Sequence, residues 1–136
     1  LLVSEVLPGS EYSIDTIVSN GNILIILPRK RNKINAGISV AGKFEKNIEI
    51  IEYCKKIINS LKLSGPIGIQ VKKSKNGDYK ILEINPRIQG TSIAALGAGI
   101  NLPLLSVYST LGMDINISKI NWDAKFVRYY NEVFYG

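Results

Sequence analysis

Gly65-Pro-Ile-Gly-Ile-Gln-Val71 and Tyr79-Lys-Ile-Leu-Glu-Ile-Asn85, with Asn76-Gly77 between them and Pro86-Arg87 behind, decide how the chain reads. Both runs alternate in character as strands do, and Asn-Gly is the favoured pair for a type I′ turn, whose two central residues need φ > 0. A two-residue turn sets Lys75 against Asp78, Gln70 against Glu83, Gly68 against Asn85 and Lys72 against Ile81. Side chains alternate across a strand, so Gln70, Lys72, Glu83 and Asn85 share one face, while Ile67, Ile69, Val71, Leu82 and Ile84 form an apolar one. The apolar face is expected to meet the core. The polar face gathers a carboxylate, two amides and a cation, which suits Mg2+ and its preference for hard oxygen donors. Arg87 adds a guanidinium able to grip phosphate. An ordinary solvated sheet face has the same polarity, and spacing alone favours that plainer reading, because one polar face is the norm for a two-layer sheet.

A second hairpin is expected upstream, with Tyr12–Val18 and Asn22–Leu27 flanking Asn20-Gly21. It puts Glu11, Ser13 and Asp15 on one face and Tyr12, Ile14, Thr16 and Val18 on the other. Between the hairpins Ile48, Ile51, Cys54, Ile58 and Leu61 recur at helical spacing, so 46–62 is expected as an amphipathic helix with Cys54 on its buried side. Ser92–Gly99 reads as a short helix. Asn101 reads as the N-cap of another that ends near Leu111, with Pro103 in its first turn. The aromatic run Trp122–Tyr135 is expected as a late strand. Hairpins with intervening helices make the class α+β, an antiparallel sheet packed with helices, expected as one domain over residues 1–136.

Composition bounds the chemistry. Of 136 residues, 17 are Lys or Arg and 11 are Asp or Glu, a net charge of +6, with no histidine and one cysteine. The absent histidine removes Ser-His-Asp and Cys-His nucleophile systems and every His-ligated metal site. A lone Cys54 forms neither an internal disulfide nor a cysteine metal cluster, which fits a reduced, cytoplasmic setting. No apolar run approaches the ~20 residues a membrane helix needs, and no membrane partner is expected. The first residue is not methionine, so the chain is read as a piece of something longer. The Arg29-Lys30-Arg31 run is an anion-site candidate, although such runs are usually solvated surface. Neither a Walker nor a Rossmann glycine loop occurs.

Together these residues resemble the ATP-grasp superfamily. Gly65–Gln70, the hairpin, and Glu83-Ile-Asn85-Pro86-Arg87 look like its C-terminal signature, most of all in the branch of the carbamoyl-phosphate synthase large chain. Glu5-Val-Leu-Pro-Gly9, Pro28–Arg31 with Ala36-Gly37, Gly97–Pro103 and Val127–Phe134 extend the likeness nearly end to end. The resemblance implies the C-terminal part of an ATP-grasp fold whose N-terminal part is missing. It implies ATP with Mg2+ or Mn2+, Glu83 bridging two metal ions, Gln70 and Asn85 each holding one, and Arg87 on the transferring phosphoryl group. Glu5, Val6 and Leu7 would meet the adenine and Glu11 the ribose. Asp15 and Arg31 would face the metal-phosphate region or be structural. The implied reaction joins a small carboxylate, or bicarbonate, to an amine through an acyl-phosphate. Gln70 stands where many relatives carry Glu, and Gln89-Gly-Thr-Ser92 departs from the large synthase chain. Two rival expectations are a basic nucleic-acid-binding module built on Arg128-Tyr129-Tyr130 and a catalytically silent ATP-grasp remnant.

Overall fold

The computed structural model describes all residues except Leu2 and Ser118. Six strands form one antiparallel sheet: β1 (Glu11–Ser19), β2 (Asn22–Asn35), β3 (Ile38–Phe44), β4 (Gly65–Lys73), β5 (Tyr79–Asn85) and β6 (Lys125–Val127), in the order β5-β4-β1-β2-β3-β6. Helices α1 (Ile48–Leu61) and α2 (Leu102–Thr110) and a 3₁₀ turn (Ser92–Ala98) complete it. The α+β expectation therefore holds. Among the described residues no single helix is long and apolar enough to cross a membrane.

Each sheet face has its own core. On one side Tyr12, Ile14, Val18, Ile67, Ile69 and Val71 pack against Ile50, Cys54 and Ile58 of α1. Asn47 caps that helix by accepting a hydrogen bond from the Ile50 amide at 3.1 Å, and Lys62 ends it in the left-handed region. The buried stripe is Ile50, Cys54, Ile57 and Ile58. Ile48 and Leu61, expected on it, are more than half exposed because they lie at the helix ends, beyond the sheet. Burial pushes the Cys54 thiol up to about 12. Thiolate is the reactive form, so at pH 8 only about one thiol in ten thousand is ionised, and that one is sealed in the core. Iodoacetamide should leave Cys54 unmodified in the native protein and alkylate it fully after denaturation, as read by mass spectrometry; rapid native alkylation would contradict this packing.

On the other side Ile17, Ile25 and Leu27 pack under the 3₁₀ turn and α2 through Ala95, Ala98, Ile100 and Leu102. This layer covers only part of the face. The remainder, carried by β1, β2, β4 and β5, is polar.

Both hairpins form, with corrections. Asn20 and Gly21 both take positive φ, as the expected type I′ turn requires, and Leu24 bulges out between the Val18–Ile23 and Ile17–Ile25 pairs. In the second hairpin only Gly77 has positive φ; Ser74 faces Asp78 across the three residues Lys75-Asn76-Gly77. The longer turn displaces the register, setting Lys72 against Lys80 and Val71 against Ile81, until a bulge at Leu82 restores it. Gln70 thus still faces Glu83, and Gly68 still faces Asn85. Leu82, expected in the core, is 46% exposed at the bulge.

Two further expectations fail. The strand expected over Asn22–Leu27 runs on through Pro28–Arg31 to Asn35 as β2, and the chain turns back at Ala36-Gly37 to make β3. The late strand shrinks to Lys125–Val127, pairing with β3 through Ala41, Gly42 and Lys43; residues 128–136 have no regular structure.

Candidate functional site

The polar part of the sheet floors an open cleft of about 350 Å³. Gln70 comes from β4, Glu83 and Asn85 from β5, and Arg31 from β2, while Arg87 projects from the segment after β5. Cross-strand pairing sets Gln70 beside Glu83, and the two-residue repeat brings Asn85 to the same face. The Glu83 carboxylate accepts hydrogen bonds from the Gln70 amide and, at 2.8 Å, from the Asn85 amide. Gln70 Oε1 in turn accepts from Arg31 Nη1 at 3.0 Å. Arg31 also pairs with Glu11 and donates to the Gly37 carbonyl, while its buried Nε has no partner among the described residues. Glu11 is flanked further by Lys72, 3.8 Å away.

The structure thus gathers Gln70, Glu83, Asn85, Arg87 and Arg31 around one cleft and puts Glu11 behind Arg31. Glu5, Val6 and Leu7 lie before β1 and do not line it; Glu5 and Val6 are exposed and Leu7 is buried. Among the described residues Glu83 is the one acidic side chain in the lining, against Arg31, Arg87 and Arg128. Anions are the ligands this charge balance favours.

Beneath the cleft a buried polar network carries the Pro86–Thr91 segment. Arg29, fully buried, lies 3.2 Å from Asp15, donates to Thr91 Oγ1 at 2.7 Å, and has its guanidinium 5.5 Å from the centre of the Phe126 ring. Gln89 donates to the Ile14 carbonyl at 2.9 Å and to Asp15 at 3.3 Å. Burial pushes the Asp15 carboxyl up; Arg29 and Gln89 pull it down without offsetting that burial. Asp15 and Arg29 are therefore internal supports, and Arg29, expected near phosphates, does not reach the cleft.

Gly68 explains how Gln89 fits. A Cβ there would sit 2.3 Å from Gln89 Cγ, and the Gln89 amide nitrogen is tied to Ile14 and Asp15 of β1. Gly68→Ala should cost about 1–3 kcal/mol through overpacking. It should also displace the segment bearing Arg87. Urea melts check the cost; a wild-type midpoint would contradict the packing.

Ser13, Ser39, Gln89, Thr91 and Arg128 also line the cleft and were not legible as site residues. Gln89 reaches Ile14 across 75 positions, a distance that carries no local signal. Arg128 was visible only as part of a basic aromatic cluster. Its neighbours Tyr129 and Tyr130 are 83% and 72% exposed, not at a core edge as their aromaticity suggested.

Among solved structures, the chain is similar to the phosphoribosylaminoimidazole carboxylase ATPase subunit from Aquifex aeolicus, with a TM-score of 0.72 and 20% identity over 87% of this chain and 38% of that one. Biotin carboxylase from Campylobacter jejuni, solved as a β,γ-ATP complex, gives 0.70 and 16%, covering 86% and 29%. The L-amino acid ligase from Bacillus licheniformis gives 0.62 and 17%, covering 76% and 29%. These likenesses show a shared fold, and the chain spans about a third of each of those proteins. No curated protein sequence matches it. The profile described as "ATP-grasp in the biosynthetic pathway with Ter operon" matches residues 1–131, and the chain belongs to the ATP-grasp family.

Proposed function

We propose that residues 1–136 are the C-terminal part of an ATP-dependent carboxylate–amine ligase, of the general kind of the carbamoyl-phosphate synthase large chain. The observation that carries the reading is the hydrogen-bonded Gln70–Glu83–Asn85 cluster facing three guanidinium groups in one cleft. ATP-grasp membership supports nucleotide as the anion, as does the β,γ-ATP complex of the Campylobacter jejuni relative.

The donor chemistry fits Mg2+ or Mn2+ brought in with nucleotide. One carboxylate and two amides supply hard oxygens but little charge, so phosphate oxygens and water would have to complete the coordination. Among the described residues no group of three Asp, Glu, Cys or His stands ready for a metal by itself. Glu83, Gln70 and Asn85 would hold the ions; bound there, the metal neutralises phosphate charge. Gln70 and Asn85 would first turn their amide oxygens inward, since both now aim nitrogen at Glu83.

Arg87 would hold the transferring phosphoryl group. Glu5, Val6 and Leu7 would face adenine from the segment before β1, and Glu11, beside Arg31, would face the ribose. A carboxylate oxygen of the acid attacks the γ-phosphorus and ADP departs, leaving an acyl-phosphate. The amine then attacks its carbonyl carbon, and phosphate leaves. Stabilising charge in this way needs no proton-shuttling histidine. The test is Glu83→Gln in the protein that contains this chain, assayed for acid-dependent ADP formation; loss of turnover is expected, and unimpaired turnover would overturn the reading.

A further inference from the structure

Beyond Arg128 the cleft continues into a second cavity of about 250 Å³ with a different lining. Ile93 and Ala94 of the 3₁₀ turn face Phe126, Val127 and Tyr129 from β6 and its continuation. Thr91 and Arg128 belong to both linings, so the two spaces meet there. At that junction Arg128 Nη2 donates to the Gly90 carbonyl at 3.2 Å, and the Arg128 amide donates to the Val40 carbonyl at 2.7 Å. Among the described residues neither Arg128 nor Arg87 forms an ion pair, whereas Arg29 and Arg31 both do.

We propose that this second cavity is the subsite for the side chain of the acid, and that the acid is a monocarboxylate bearing a branched aliphatic or aromatic group. The proposal rests on the ligase reading and names its substrate class. Polarity divides the site in the way such a molecule would require. The carboxylate lies at the junction, where Arg128 is anchored with unused donors and Arg87 is within the same cleft. The apolar group extends away from the metal-binding residues, over Ile93, Val127 and the two aromatic rings. Bicarbonate has nothing to place there, and a charged side chain would lose its hydration without gaining a partner. An apolar group is drawn in because it covers side chains that are otherwise exposed, Ile93 at 64% and Val127 at 79%.

Equilibrium binding of acetate, bicarbonate, 3-methylbutanoate and 3-phenylpropanoate to the protein containing this chain tests it. The two apolar acids should bind at least about tenfold more tightly than acetate, the discrimination a few methylene groups give in an apolar pocket. Ile93→Trp, which fills the cavity from an exposed position, should bring the ratio of 3-phenylpropanoate to acetate affinity close to one. Reading a ratio within one variant removes any general loss of folded protein. Equal binding of all four acids, binding of bicarbonate alone, no acid binding, or an unchanged ratio in Ile93→Trp would each overturn the proposal. A parallel Mg-ATP titration on the wild type separates the two readings. Selectivity among acids without Mg-ATP binding overturns the ligase reading and supports the subsite; Mg-ATP binding without selectivity overturns the subsite alone.

Discussion

Arg29→Met should destabilise the protein by about 3–5 kcal/mol at neutral pH, a large share of the roughly 5–15 kcal/mol that holds a typical domain together. Arg29 is wholly buried and holds three elements at once: Asp15 on β1, Thr91 after β5, and the Phe126 ring of β6. Methionine fills much of the same space with no donor and no charge. What remains is a 97%-buried carboxylate facing an apolar side chain, and the penalty is mostly that uncompensated charge. The pH dependence follows from the direction of the Asp15 shift. Its folded carboxyl is already raised by burial, and losing the guanidinium raises it further. The folded variant then holds its proton more tightly than the unfolded chain does. Stability is retained below the ordinary carboxylate range and lost as pH rises through the folded value. Thermal melts of Arg29→Met should therefore lie closest to wild type near pH 4 and diverge towards pH 8. The double variant Arg29→Met with Asp15→Asn should recover part of the loss at pH 8, since no charge is left unpaired. A double variant no better than the single one, or a single variant as stable as wild type at pH 8, would show that the pair does not support the fold.

That pair also shows what the sequence could and could not disclose. Arg29-Lys30-Arg31 reads as surface because it is a run of charge, yet the strand sends alternate members to opposite faces. Arg29 and Arg31 fall on the cleft side, and each is answered by a carboxylate from β1, Asp15 or Glu11. The alternation was readable; the partners come from another strand and were not. β3 went unseen for a related reason. The charge of Arg29-Lys30-Arg31 reads as solvated surface at the end of a strand, which hides the turn at Ala36-Gly37, although Ile38, Val40 and Phe44 behind it alternate. The hairpin of Gln70 and Glu83 was legible despite a wrong turn, because the extra turn residue and the bulge at Leu82 cancel before Gln70. At the end of the chain, aromatic content suggested a strand through Tyr135. Strands need partners, and β3 offers β6 only the three pairings from Ala41 to Lys43.

On the proposed ligase reading, Glu83→Gln in the protein that contains this chain should lower acid-dependent ADP formation by about a thousandfold, the several kcal/mol a metal ion supplies to phosphate charge, while leaving the fold intact. Stability should hardly change, since Glu83 is exposed and, among the described residues, its hydrogen bonds join it to the half-buried Gln70 and Asn85 alone. Glutamine keeps the length of the side chain and one oxygen acceptor, so what disappears is charge. Among the described residues lining the cleft that charge is the only negative one, set against three guanidinium groups. Two opposing consequences follow. Binding of ATP without metal should hold steady or tighten, because the lining becomes more positive. The metal-dependent step should collapse, because two amides and a third neutral oxygen offer a divalent ion no anionic ligand, and several kcal/mol of phosphate charge stabilisation go with it. A purely structural role for Glu83 predicts the opposite pattern, with affinity and turnover falling together as the cluster loosens. Glu83→Asp sharpens the contrast by keeping the charge on a shorter arm. It should retain a measurable fraction of turnover and need more Mg2+ to reach it, whereas Glu83→Gln should not be rescued by Mg2+ at any concentration. Turnover in Glu83→Gln that returns with added Mg2+, or ATP affinity that falls in step with it, would remove Glu83 from the metal-binding role.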